Sequence, residues 1–369
     1  MEKEYLDLLK ELIRRRPVTS DISAVNNAVK CVRSFLKERG INCITENVDG
    51  RDVLYASTSS GKVQDILFNA HLDVVPAMSE SQFEPYEKEG RIYGRGAGDC
   101  LGNVVAIIQA LMERKEYYVS AIFNTDEETG GSTALAMVER GYGARKAIVV
   151  ADHYEDCKIT YRQKGILILK LTAHGKGGHA AYIMDPEQNP IDLLARAYLK
   201  LRTNWQNPSS PEDWRDSMNG CIISGGSARN QIPDTAELTV NIRYTGKTTM
   251  EDIVESVRSI TGLETEIIRT CCPVSGNPEL PAYQVMKKCH EKVFSGREIG
   301  FTGMCGATDA RHFIKLGIPI IIVAAAGIGA HSAEEYVILE SLYQYSRIFS
   351  EYIAEMQAVF APECIEVKV

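Results

Sequence analysis

The sequence predicts an α/β protein with a mixed sheet, interrupted by a smaller inserted unit of order β-α-β-β-α-β. Apolar runs of strand length alternate with helix-like segments as far as about residue 152. Between about 165 and 284 the rhythm changes to a split βαβ order, and the α/β pattern then resumes. A length of 369 residues is also more than one hydrophobic core usually organises. The expected domains are therefore 1–164 plus 285–369, and 165–284 inserted between them.

In chain order, Leu6, Leu9 and Ile13 line one face of a first helix. Asp21 is placed to cap a second helix carrying Val25, Val29, Val32 and Leu36, which Gly40 stops. The clearest strands are 65–70, 118–124 and 147–151, with a late one at 318–325 that resembles them. The inserted unit reads as strand 165–173, helix 191–202, strands 221–224 and 235–243, helix 250–260 and strand 264–270. A helix around 283–293 returns the chain to the first layer.

Acidic residues outnumber basic ones, 49 to 41, for a net charge of −8, and no Lys/Arg run marks a phosphate-binding stripe, which argues against nucleic acid as a partner. The longest apolar stretch, 318–326, is about half of a membrane span, and the first residues, MEKEYLDLLKEL, are charged. A soluble, unexported protein is expected, without a membrane partner. Ten cysteines lie scattered without CxxC, as reduced thiols in the cytoplasm would.

Each of the four α/β strands runs out into metal-capable side chains: His71 and Asp73, then Asp126, Glu127 and Glu128, then Asp152, and His331 after a short loop. Open α/β sheets bind ligands just outside the carboxyl ends of their strands. Asp99, at the start of a helix carrying Val104, Ile107, Ile108 and Leu111, is a fifth element. Taken alone, Asp99 reads as a helix cap. So many acids at one edge require a counter-charge, and a divalent metal supplies it. Two imidazoles with several carboxylates and no thiolate suit zinc, with cobalt or manganese as substitutes. Asp73, two residues from His71 in an extended segment, is placed to orient its imidazole. Of Glu127 and Glu128, one can bind metal while the other acts as general base.

These residues carry a resemblance to the M20 metallopeptidase family, which includes succinyl-diaminopimelate desuccinylase, acetylornithine deacetylase, the carboxypeptidase G type enzymes and several dipeptidases. The stretches HLDVVP (71–76), GRGAGD (94–99), DEETG (126–130), GKGGHAA (175–181), NQIPD (230–234), GATDA (306–310) and HSAEE (331–335) occur in the family's order. The resemblance implies a zinc-exopeptidase-like catalytic domain with a ferredoxin-like insert serving as lid and homodimer contact. It implies two zinc ions bridged by Asp99, with His71 and Asp152 at one and Glu128 and His331 at the other. Glu127 is then the general base for a hydroxide between the ions, and His179 steadies the oxyanion in the partner subunit's site. Asn230 and Arg243 match positions that bind a substrate carboxylate, and Thr308 and Asp309 match a substrate-side loop. On strand periodicity alone Arg243 is a solvent-side residue, and His179 a loop histidine without a role. His153, His174, His290 and His312 read as surface or packing residues.

The implied activity is hydrolysis of an amide or peptide bond in a small carboxylate-bearing substrate, an N-acyl amino acid or a short peptide. Asp152 matches the carboxypeptidase and dipeptidase branches, whereas GHAAYIMDPEQNPID and the NIRY strand look more like the desuccinylase side, so the substrate stays open. Where the family often has Lys-Gly, Asp99 is followed by Cys100, Leu101 and Gly102. Two rival classes remain. A dinucleotide-dependent oxidoreductase could use Gly96, Gly98 and Gly102, but a charged, glycine-broken stretch stands where its strand is needed. A non-catalytic binding or scaffold relative has little physical reason to keep the whole charged cluster.

Overall fold

The computed structural model describes residues 2–359 apart from 184 and 211. Two compact units are distinguished. One is built from the described residues up to Tyr161, from Gly276–Thr302 and from those after Ala307; the other from Arg162–Ser275 and Gly303–Ala307. The second unit thus closes before 284 because Gly276 N–H donates to Tyr161 O, and Tyr283 in the next helix donates its hydroxyl to Ile320 O.

In the first unit the strands lie in the order Asn42–Val48, Arg51–Ser57, Val119–Asn124, Val63–His71, Gly143–Val150, Ile320–Ile322 and Lys158–Gln163. The sheet is mixed: Val63–His71 runs parallel to both neighbours and Ile320–Ile322 parallel to Gly143–Val150, while the outer pairings are antiparallel. Alternate strand residues such as Ile66, Phe68, Ala70, Ala121, Phe123, Ala147 and Val149 share one core with the helices Lys3–Arg14, Ile22–Glu38, Gly102–Glu113, Pro281–Val293 and Leu339–Val359. Asp21 caps the second helix, its carboxylate accepting Ala24 N–H, and Gly40 follows the end with φ +80°. The buried stripe of the first helix is Tyr5, Leu8, Leu9, Leu12 and Ile13, with Leu6 at its margin.

The late strand is shorter than its apolar run. Val323 N–H still reaches Val150 O, but Ala325 N–H turns to the Asn103 side chain, and ladder pairing is confined to Ile320–Ile322. No described helix is long and apolar enough to cross a membrane.

The second unit is an antiparallel sheet ordered Ser217–Gly225, Thr235–Tyr244, Gly165–His174, Glu264–Cys271. Leu167, Leu169, Leu171, Leu238, Val240 and Ile242 alternate onto one face and pack with Leu194 and Leu201 of helix Pro190–Asn204 and Ile253 and Val257 of helix Met250–Thr261. That is a ferredoxin-like layer of two helices on four strands.

Candidate metal centre

Four parallel strands of the first unit end on the same edge, which explains how distant residues meet. His71 is the last residue of its strand, Asp126–Glu128 follow Asn124, Asp152 follows Val150, and His331 lies on the loop beyond Ile322. Asp99 enters from the turn preceding helix Gly102–Glu113, and its peptide bond to Cys100 is cis. This turn lies against the loop after Ile322 through glycine: a Cβ on Gly327 would stand 2.6 Å from Gly98 Cα. Only glycine at both positions permits that approach.

Asp99 is the centre of the arrangement. Its Oδ1 is 3.0 Å from His71 Nε2, and its Oδ2 is 3.3 Å from His331 Nε2. His71 Nε2 is also 3.4 Å from Asp152 Oδ1, and His331 Nε2 3.1 Å from Glu128 Oε2. Among the described residues, two donor sets have ligand atoms within 4.8 Å of one another: His71 with Asp99 and Glu128, and His71 with Cys100 and Asp152.

The tautomer of His71 tests whether this set fits a cation. Its Nδ1 lies 2.8 Å from the Asp73 backbone carbonyl, which can only accept, so Nδ1 carries the proton. Nε2 then faces two carboxylate oxygens, which calls for positive charge at that point, a second proton on the ring or a metal ion. Glu128 Oε1 is likewise buried without a hydrogen-bond partner. The donors fit a divalent ion.

The electrostatics agree. Burial, with Asp152 nearby, pushes the Glu127 carboxyl up to about 8. Burial also pushes Glu128 and Asp152 to about 7. For Asp99 burial acts in the same sense, but the His331 and His71 imidazoles override it and hold its carboxyl well below the usual range. The hydrogen bond to Asp99 lifts His331 to about 9.

Asp73 lies beside the imidazole: its carbonyl accepts Nδ1–H at 2.8 Å, and its Oδ1 is 3.6 Å from the same nitrogen. The carboxylate also accepts Thr19 Oγ1–H at 2.8 Å and faces the backbone N–H groups of Glu127 at 3.2 Å and Glu128 at 3.4 Å. Arg311 lies 3.8 Å from Glu127 Oε1. Thr308 and Asp309 are both buried, at 2% and 1% exposure. Thr308 caps the following turn, and Asp309 accepts a hydrogen bond from Asn124. Arg311, Thr19, Arg95, Glu335 and Cys100 carry no role in the sequence reading, although Arg95 and Glu335 lie inside its quoted motifs.

In the second unit, His179 and Asn230 come together where the ribbon strand Gly178–His179 pairs with Gln231–Ile232, and Ala180 N–H donates to Asn230 O. His179 is exposed, its Nδ1 accepting Ala181 N–H at 3.2 Å. Arg243 stands apart: its strand starts at Thr235, next to the ribbon, and eight residues of extended chain span roughly 26 Å. Its Nε–H donates to Asn241 at 3.0 Å.

Paired histidines and carboxylates at the strand ends of a mixed α/β sheet define a metal-dependent hydrolase. Residues 67–355 match the model of peptidase family M20/M25/M40, and the chain belongs to that family. It is 27% identical to a succinyl-diaminopimelate desuccinylase of a Nitratiruptor species, over 95% of this chain and 99% of that one. In fold it resembles a tripeptidase from Staphylococcus aureus (TM-score 0.79, 17% identity, 97% of this chain and 99% of that one). It also resembles a dinuclear metal-binding peptidase of the M20 family from Bacillus subtilis (TM-score 0.70, 15% identity, 95% and 97%).

Proposed function

We propose that the chain is a two-ion amide hydrolase for a small carboxylate-bearing substrate, with N-acyl amino acids as the leading class. The observation that carries this is the Asp99 carboxylate, which turns one oxygen to each imidazole. In this reading Asp99 is shared, His71 and Asp152 complete one ion's ligands, and Glu128 and His331 complete the other's. Zinc is the first choice, with cobalt or manganese able to substitute. When bound, such a pair polarises a carbonyl and acidifies water.

The chain's own groups do the rest. Glu127 takes a proton from water as the water oxygen bonds to the amide carbon, then returns it to nitrogen as the C–N bond breaks, leaving a carboxylate and an amine. Asp73, accepting from the Glu127 and Glu128 N–H groups, fixes the direction of both side chains. The inserted unit serves as lid and homodimer contact. His179, from a second copy, steadies the developing oxyanion, while Asn230 and Arg243 take the substrate carboxylate. Asn230 lies beside the two-stranded ribbon and Arg243 near the far end of the strand that follows it, a separation that supports a site shared between two copies.

The desuccinylase relatives make N-succinyl amino acids the first substrates to test; the tripeptidase-like fold makes short peptides the second. The test is amine release by the zinc-loaded chain from N-succinyl amino acids, N-acetyl amino acids, dipeptides and tripeptides. Turnover of one class supports the reading. Two bound ions with no turnover of any class would favour a binding protein instead.

A further inference from the structure

The wall behind His71 and Asp152 holds a sulfur. Cys100 is fully buried, and its Sγ lies within 4.8 Å of the ligand atoms of both His71 and Asp152. The strand end fixes its position: His71 N–H donates to Sγ at 3.2 Å, and the thiol leans on the His71 carbonyl at 3.4 Å. The second observation is the His71 ring, 1% exposed, whose Nε2 stands 3.0 Å from Asp99 Oδ1 and 3.4 Å from Asp152 Oδ1, so that nitrogen, oxygen and sulfur donors surround one buried point. The donors at the other end, His331 and Glu128, offer nitrogen and oxygen alone.

We propose that Cys100 is a sulfur donor to the ion held by His71 and Asp152, so that the two ion positions differ in chemistry and the first prefers thiophilic metals. This rests on the two-ion reading above. On binding, the S–H bond gives its proton to solvent, a sulfur–metal bond forms, and the His71 N–H remains directed at the sulfur; no redox change occurs. Zinc, cadmium and cobalt accept sulfur, whereas manganese and magnesium favour oxygen donors. The first position therefore retains cadmium or zinc against manganese, while the second exchanges.

The test uses the full chain, stripped of metal and titrated with cobalt(II) while bound cobalt and the near-ultraviolet spectrum are followed. The expected result is two cobalt ions per chain with a sulfur-to-cobalt charge-transfer band, lost in Cys100→Ser at unchanged cobalt content. Cadmium NMR of the wild-type chain gives a reading that needs no variant: one of two resonances lies downfield, in the range of a sulfur-ligated ion. Two bound cobalt ions without the band, or a band that persists in Cys100→Ser because another thiol causes it, overturns the role of Cys100 alone. A chain that takes up no cobalt overturns the two-ion reading and this proposal with it.

Discussion

Glu335 holds Asp99 from behind: its Oε1 accepts the backbone N–H of Asp99 at 3.1 Å, and that of Gly98 at the same distance. Its other oxygen pairs with Arg95 Nη1 at 2.5 Å, and both side chains are 1% exposed. Arg95 also donates to Ser332 O, next to His331. One buried ion pair thus joins the segment carrying the central carboxylate to the loop carrying the second imidazole.

Glu335→Gln leaves the Arg95 charge buried without a counter-charge, which costs about 3–5 kcal/mol. A lower Tm of the metal-free chain and a roughly 10–100-fold weaker zinc affinity are expected, measured by thermal unfolding and by competition with a chromophoric chelator. Unchanged zinc affinity would show that Asp99 does not depend on this support.

Gly327→Ala places a Cβ 2.6 Å from Gly98 Cα, where only backbone movement can relieve the contact. Overpacking of this kind costs about 1–3 kcal/mol and separates the Asp99 and His331 segments. Gly300→Ala is the control, since its nearest neighbour is 3.9 Å away. Thermal unfolding and zinc binding of the two variants should differ clearly; equal behaviour counts against the close approach.

Glu127→Gln removes the proton carrier and leaves the proposed metal-binding side chains in place. Metal content by elemental analysis should match the wild type, while kcat falls by roughly 10²–10⁴-fold or more. Retained turnover removes Glu127 from the chemistry.

His290 gives a pH prediction away from the site. Burial pushes its imidazole down to about 4, with Nδ1 hydrogen-bonded to Met286 O. Unfolded, it takes up a proton below its ordinary pKa of about 6.5; folded, it does not until about pH 4. Stability is therefore lost as pH falls from 6.5 towards 4, by about 3 kcal/mol for this group. His290→Phe should flatten that limb of the metal-free stability curve, measured by urea unfolding at pH 7 and pH 4.5. An identical pH dependence in the variant contradicts the assignment.

The donors at the centre were legible because each follows a pattern that sequence exposes. His71, Asp152 and the Glu127–Glu128 pair end or follow apolar strands, and Asp99 precedes an apolar helix. The supports were not. Glu335 and Gly98 meet across 237 residues, and nothing local in either announces the contact. Cys100 passes for an ordinary small apolar residue until His71 is placed beside it. The burial of Thr308 and Asp309 was not legible either, because a Thr-Asp pair in a glycine-rich run reads the same whether it is exposed or buried. The apolar run at 318–325 overstated its strand because burial, not ladder pairing, accounts for its last residues.

The central claim is that Asp99 lies between two cations, one beside His71 and one beside His331. Anomalous diffraction at the zinc edge from crystals of the zinc-loaded chain tests it directly. The account predicts two peaks, each within coordination distance of a different Asp99 oxygen, one contacting His71 and the other His331. A map with no peak at Asp99, or with zinc bound only at other residues, would contradict it.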